Sequence, residues 1–291
     1  MEKAEIMQKL NGAEWLHSFE LLPGITTPGR IPCGAKYLFD SRYRLPVSLS
    51  GLKAIDIGTW DGAYAFELER RGADVVAVDI QDPAYTGFNV AKELLQSKAT
   101  YVRASVYDLS KVLETKFDIV CFLGLYYHLK APVLAFEEVG RILKNDGRLL
   151  IEGECLRNWA PVPAEAATMQ KAVVSKIQQD LESPATHASA LQRLRSRLAG
   201  WRAARFAAKM ANSDIPLTLF YAGAYKQDSS NWFIPNLACI REWLADAGLE
   251  LVSHGFDDKA APGQRFWGSA RKVPHLDIPI EHGIFKAGDR W

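Results

Sequence analysis

The sequence predicts an α/β fold: a doubly wound, mostly parallel sheet of seven strands with a helical segment inserted. Three patterns carry that expectation. Between residues 52 and 153, short apolar runs alternate with helix-length segments, the pattern of strands joined by crossover helices. A glycine-bounded turn, Gly58-Thr-Trp-Asp-Gly62, separates the first run from the helical pattern behind it. Near the C-terminal end, a helix over 240–247 followed by strands at 249–256 and 265–271 supplies an antiparallel pair that closes the sheet.

Taken in order, residues 2–20 have the apolar spacing of a short amphipathic helix. Leu21 to Arg30 reads as a loop fixed by two prolines and two glycines. The core then reads strand 52–57, helix 62–71, strand 73–79, helix 88–96, strand 99–104 and a short helix 108–114. Strand 117–122, helix 131–144 and strand 147–153 follow, with Asn145-Asp146-Gly147 as helix stop and turn. Composition shifts at 156–214, which is rich in Ala, Gln, Arg and Lys and broken at Ser183-Pro184. That stretch is expected to be two or three inserted helices forming a lid. Within it, Arg193, Arg195, Arg197, Arg202, Arg205 and Lys209 alternate with apolar residues at helical spacing, a basic amphipathic helix of a kind that binds membranes, RNA or an acidic substrate and more often packs one face on its own domain, the reading expected here. Pro262-Gly263 reads as the turn of the last hairpin. The expected division is therefore an N-terminal helix and access loop (1–50), a Rossmann-like core (51–155 and 215–275), the lid (156–214) and a tail (276–291).

Bulk numbers narrow the function. The chain has 291 residues, 48% of them hydrophobic, and a net charge of +1. That balance calls for neither nucleic acid nor an anionic membrane as partner. Cys33, Cys121, Cys155 and Cys239 are far apart and form no CxxC pair, so they read as reduced thiols of a cytoplasmic protein. No run reaches the roughly 18 apolar residues of a membrane span. The six histidines are scattered without metal-ligand spacing, so no catalytic metal is expected.

The 52–79 segment carries the chemistry. A glycine at a strand end can take φ > 0 and lets a ligand approach the backbone. The helix start behind it offers unpaired N–H groups. The second strand ends in Asp79, placed to accept hydrogen bonds from both ribose hydroxyls. Gly-x-Gly-x-x-Gly and Gly-Lys-Ser/Thr are both absent, which disfavours dinucleotides and a phosphate-cradling loop. S-adenosylmethionine, which has no pyrophosphate, fits better. Asp56, Gly58, Trp60, Gly62, Asp79, Ser105, Asp108 and Leu123 are the candidate cofactor residues.

Methyl transfer is an in-line displacement in which the protein aligns the partners and excludes water. A hydroxyl acceptor also needs a base. His128, after the fourth strand, is the first candidate, with Tyr127 beside it and Glu152 at the end of the fifth strand. Glu154, Tyr221, Tyr225, Trp232 and Arg265 are candidate substrate residues, with Phe233 as a further wall.

These motifs carry a family resemblance. The turn at 58–62 with Asp79 resembles motif I of the class I methyltransferases, with Trp60 in place of the usual middle glycine. Asn231-Trp-Phe-Ile-Pro-Asn236, Leu125-Tyr-Tyr-His128 and Gly24-Ile-Thr-Thr-Pro-Gly29 resemble stretches of the wobble-uridine tRNA carboxymethyltransferase family and its methyltransferase relatives. That resemblance implies a choice between two cofactors. The tRNA enzymes use carboxy-S-adenosylmethionine and hold its carboxylate with a lysine, a tyrosine and a late arginine. Tyr127 and Arg265 match the last two, while Lys36 does not align with the lysine. The expectation is therefore ordinary S-adenosylmethionine and O-methylation of a small molecule, with a tRNA wobble-uridine (U34) enzyme as the alternative. A non-catalytic cofactor-binding partner subunit is the third reading. The oligomeric state stays open.

Overall fold

The computed structural model describes residues 2–156, 209, 212–220, 229–257 and 264–273. The expected lid, apart from residues 156, 209 and 212–214, and everything beyond 273 lie outside the described residues, as do Tyr221 and Tyr225. Seven strands form one sheet: β1 (Lys53–Ile57), β2 (Asp74–Asp79), β3 (Thr100–Arg103), β4 (Phe117–Leu123), β5 (Leu143–Cys155), β6 (Leu249–Phe256) and β7 (Gln264–Lys272). Their order across the sheet is β6-β7-β5-β4-β1-β2-β3. β7 is antiparallel to both β5 and β6, while the other neighbours pair in parallel.

The period-2 pattern of the strands feeds two apolar cores. In β4, Val120 and Phe122 face one side, together with Phe136, Val139 and Ile142 of α4 (Pro132–Ile142) and with Ile240 and Leu244 of α5 (Leu237–Asp246). Ile119, Cys121 and Leu123 face the other. There they meet Ile6 and Leu10 of α1 (Lys3–Asn11), Ala65, Phe66 and Leu68 of α2 (Ala63–Arg70), and Phe88 and Ala91 of α3 (Phe88–Leu95). Helices thus cover both faces, as a doubly wound sheet requires.

Three expectations need correcting. β5 begins at Leu143, so helix 131–144 stops at Ile142 and the expected turn at Asn145-Asp146-Gly147 lies inside the strand. Leu143 is fully buried against Phe117, and the ladder resumes only at Ile119 with Arg148, so the exposed Asn145 and Asp146 bulge out between them. The helix expected over 2–20 stops at Asn11, and the chain from His17 through the 21–30 loop carries strand structure instead. Glu20–Leu22 folds back on Ile25–Thr26 through Gly24 at φ 72°, and His17–Ser18 pairs in parallel with Ile31–Pro32. Finally, α5 starts three residues early because Asn236 caps it, its Oδ1 accepting from the Cys239 amide at 2.8 Å.

Strand order reverses between β1 and β4, so the carboxyl ends of these two strands open a crevice at the sheet edge. Among the described residues, no helix is long and apolar enough to cross a membrane.

Candidate active site

A cavity of about 760 Å³ lies over that crevice. Its floor begins at the turn after β1. Gly58 (φ 76°) and Thr59 both donate their amides to the Val78 carbonyl, at 2.8 and 3.2 Å, which ties the end of β1 to the end of β2. Asp56 lies beneath, 2% exposed, and accepts from Thr59 Oγ1 at 2.7 Å. Burial pushes its pKa up to about 6 against the lowering effect of that hydrogen bond. It does not line the cavity. Gly62 (φ 83°) caps α2, and a Cβ there would meet the Phe66 ring at 2.3 Å. It too shapes the turn and stays out of the wall.

Trp60 adopts φ 48°, a left-handed conformation that costs a bulky residue about 1–2 kcal/mol. The strain coincides with a hydrogen bond from its amide to Asp79 Oδ2 at 2.9 Å. The Gln81 amide donates to Asp79 Oδ1 at 3.0 Å. Two backbone donors therefore fix the Asp79 carboxylate in the cavity wall and leave each oxygen a lone pair for a further donor. Leu123 and Ser105 line the same cavity, although Ser105 Oγ also accepts from the Tyr107 amide at 3.3 Å. Asp108 is not brought in; it pairs with Lys111 at 2.7 Å and lines no part of the cavity.

The opposite end is built from side chains. Arg265 on β7 sits directly across from Glu154 on β5, and Glu152 two residues away shares their face. The guanidinium makes a bidentate ion pair with Glu152, donates to the Tyr127 hydroxyl at 2.7 Å and reaches Glu154 at 3.5 Å. It also lies 5.2 Å from the centre of the Tyr127 ring. Burial raises the Tyr127 pKa, and Arg265 offsets part of that rise. Gly124 (φ 72°) turns the chain beside this cluster, its amide bonded to the Glu152 carbonyl at 2.9 Å. His128 also lines the cavity; its Nδ1 lies 2.9 Å from Ser230 Oγ, and its ring sits 4.2 Å from that of Tyr127. Trp232 is not a cavity wall. It lies under Lys130 at 4.7 Å and donates its amide to the Tyr127 carbonyl at 2.8 Å.

One group of wall residues lay beyond the reach of sequence reasoning: His17, Arg30 and Tyr64. Asp61, fully buried in the turn, accepts from the amides of Leu16 and His17 at 3.0 and 2.7 Å and contacts His17 Nδ1 at 2.7 Å. His17 also sets its ring edge-on to Tyr64 at 5.5 Å. The one available signal was an acid inside the glycine turn, and nothing local names a partner 44 residues away. Among the described residues, no group of three or more His, Cys, Asp or Glu is placed to hold a metal ion.

Known proteins match this frame. Residues 55–151 match the family described as a methyltransferase domain. Over 106 residues the chain is 34% identical to the magnesium-protoporphyrin O-methyltransferase of Rhodobacter capsulatus, covering 36% of this chain and 44% of that protein. Over 107 residues it is 30% identical to the tRNA U34 carboxymethyltransferase of Campylobacter hominis, covering 36% and 37%. Residues 55–151 form a class I S-adenosylmethionine-dependent methyltransferase domain. The chain spans less than half the length of these curated relatives. In fold, the N-terminal domain of EvdMO1, solved with S-adenosylhomocysteine and D-fucose, aligns with a TM-score of 0.55 at 14% identity, over 94% of this chain and 98% of that one. The matched methyltransferase domain contains the turn, Asp79, Tyr127 and His128. Glu152, Glu154 and Arg265 lie beyond it, and His17 and Arg30 precede it.

Proposed function

We propose that the protein binds S-adenosylmethionine across the carboxyl ends of β1 and β2 and transfers its methyl group to an oxygen of a small molecule. The observation that carries this reading is Asp79, a residue of the cavity wall whose carboxylate is held by the Trp60 and Gln81 amides. In this reading Asp79 accepts from the ribose hydroxyls and the backbone at Gly58 and Trp60 flanks the cofactor. Ser105, Ile80 and Val106 border the base. The cofactor supplies an electrophilic sulfonium methyl. The chain's own work is to align an acceptor hydroxyl, exclude water and take up one proton.

His128 is the proposed proton acceptor. It lies on the cavity wall, and Glu152 is committed to Arg265 through both of its oxygens. Tyr127, Glu154 and Arg265 are proposed to hold the acceptor in place. The Tyr127–Arg265 contact also suits the alternative, a tRNA U34 enzyme using the carboxylated cofactor. What favours the plain cofactor is the ion pair of Arg265 with Glu152, because a carboxylate entering there competes with a bidentate acid already in place.

The deciding experiment offers S-adenosylmethionine and, in parallel, carboxy-S-adenosylmethionine, each labelled in the transferred group, to two acceptor fractions, a small-molecule extract and bulk tRNA. The reading expects S-adenosylhomocysteine to form and label to enter only the small-molecule fraction. Label in tRNA supports the alternative, and cofactor binding without turnover on either fraction favours a partner subunit.

A further inference from the structure

Resting on that cofactor reading, we infer that His17 and Arg30 form the subsite for the carboxylate of the cofactor's amino-acid arm. The cavity runs along the sheet edge in the order β3, β2, β1, β4, β5. A ligand with its ribose at Asp79, after β2, has one arm toward β3 and the other toward β1 and β4. The β3 side offers apolar wall, Val106 and the exposed Ile80, suited to a flat base. The amino-acid arm therefore points toward β1 and β4, and its carboxylate needs a donor or a cation there.

Two walls border that region. One carries Glu152 and Glu154, which repel a carboxylate, and the N–H groups of Arg265 are committed to Glu152, Tyr127 and Glu154. The other is the N-terminal strip. His17 and Ile31 are register partners there, which puts Arg30 beside His17. Asp61 fixes the imidazole. Its carboxylate can only accept, so Nδ1 carries the proton toward it and Nε2 is the atom left for a ligand. Nε2 has no hydrogen-bond partner among the described residues, and Arg30 makes no ion pair or hydrogen bond among them. In the subsite Nε2–H donates to the carboxylate while Nδ1–H stays on Asp61, and Arg30 adds charge from the exposed rim. Asp61 belongs to the same turn that carries Gly58 and Trp60, so the subsite is tied to the cofactor end by the chain itself.

The test is calorimetric titration with two neutral thioethers. S-adenosylhomocysteine has the amino-acid arm, and 5′-methylthioadenosine lacks it. His17→Ala should weaken S-adenosylhomocysteine by about tenfold or more and Arg30→Ala by about threefold or more, while 5′-methylthioadenosine moves less than twofold in either variant. Two folded variants that hold S-adenosylhomocysteine within twofold of wild type overturn the subsite, and so does an equal loss for both ligands. If His17→Ala melts early because Asp61 loses its partner, Arg30→Ala decides alone, since its exposed side chain makes no bond that the fold needs. Wild type that binds neither thioether means that the cofactor reading itself has failed.

Discussion

At the β1–β2 end of the cavity, Asp79 is gripped by backbone amides 19 and 2 residues away. At the β5–β7 end, Arg265 is gripped by side chains 113 and 138 residues away. The first end is a local device: a strand, a strained turn and an acid whose geometry follows from the order of the chain. The second exists only once β7 has been laid antiparallel against β5, bringing Arg265 opposite Glu154. A local device rests on few neighbouring positions and tolerates drift in the rest of the sequence. A cluster assembled from distant strands is free to differ, and acceptor choice is expected to reside there.

The largest expected effect lies between the two ends. His128→Ala should lower kcat about 10²–10⁴-fold while S-adenosylhomocysteine affinity stays within twofold, because the side chain serves the acceptor and not the cofactor. Single-turnover rates at saturating cofactor check this. A variant at full rate would return His128 to anchoring Ser230.

The Asp56 carboxyl offers a sharper contrast, since it supports the local end from below. Its folded pKa of about 6 stands above the ordinary value of 3.8. The folded state therefore holds a proton that the unfolded chain gives up, and stability present below about pH 4 is lost as pH rises through about 6. At 1.36 kcal/mol per unit the loss is roughly 2–3 kcal/mol. Denaturant melts of wild type should show that decline, and Asp56→Asn should flatten it. An equal slope in both would assign the pH dependence elsewhere.

Arg265→Met probes the other end. Removing the cation leaves Glu152 and Glu154 facing each other, but the Arg265 side chain is 33% exposed, so water screens part of the cost. A loss of about 1–3 kcal/mol in unfolding free energy is expected, below that of a fully buried pair. Cofactor affinity should hold. A tenfold loss of S-adenosylhomocysteine affinity would mean that the cluster belongs to the cofactor end after all.

What the sequence made legible follows the same division. The alternation of strands and helices, the turn at Gly58–Gly62 and the terminal acid Asp79 are local, and residues two to twenty apart in the chain decide them. The same logic reached Tyr127, His128 and Glu152 through their places at strand ends. It misplaced Asp108, because the end of a strand does not say which way the next turn points; a lysine three residues on captures that acid. It made a helix stop of Asn145-Asp146-Gly147, where burial of Leu143 against Phe117 pulls the strand further back and leaves those residues as a bulge. It passed over His17 and Arg30, because a histidine in a stretch read as helix carries no mark of the buried acid that will orient it. Trp232 looked like a wall of the site and instead supports one, through its amide to the Tyr127 carbonyl.

The central claim is that Asp79 holds the cofactor at the local end of the cavity. Calorimetric titration of wild type and Asp79→Ala with S-adenosylhomocysteine tests it most directly. The account predicts saturable one-to-one binding to wild type and a loss of about 1–3 kcal/mol in the variant, roughly a 5- to 150-fold rise in Kd, with the melting curve showing an intact fold. No saturable binding to wild type, or equal affinity in the two proteins, would contradict it.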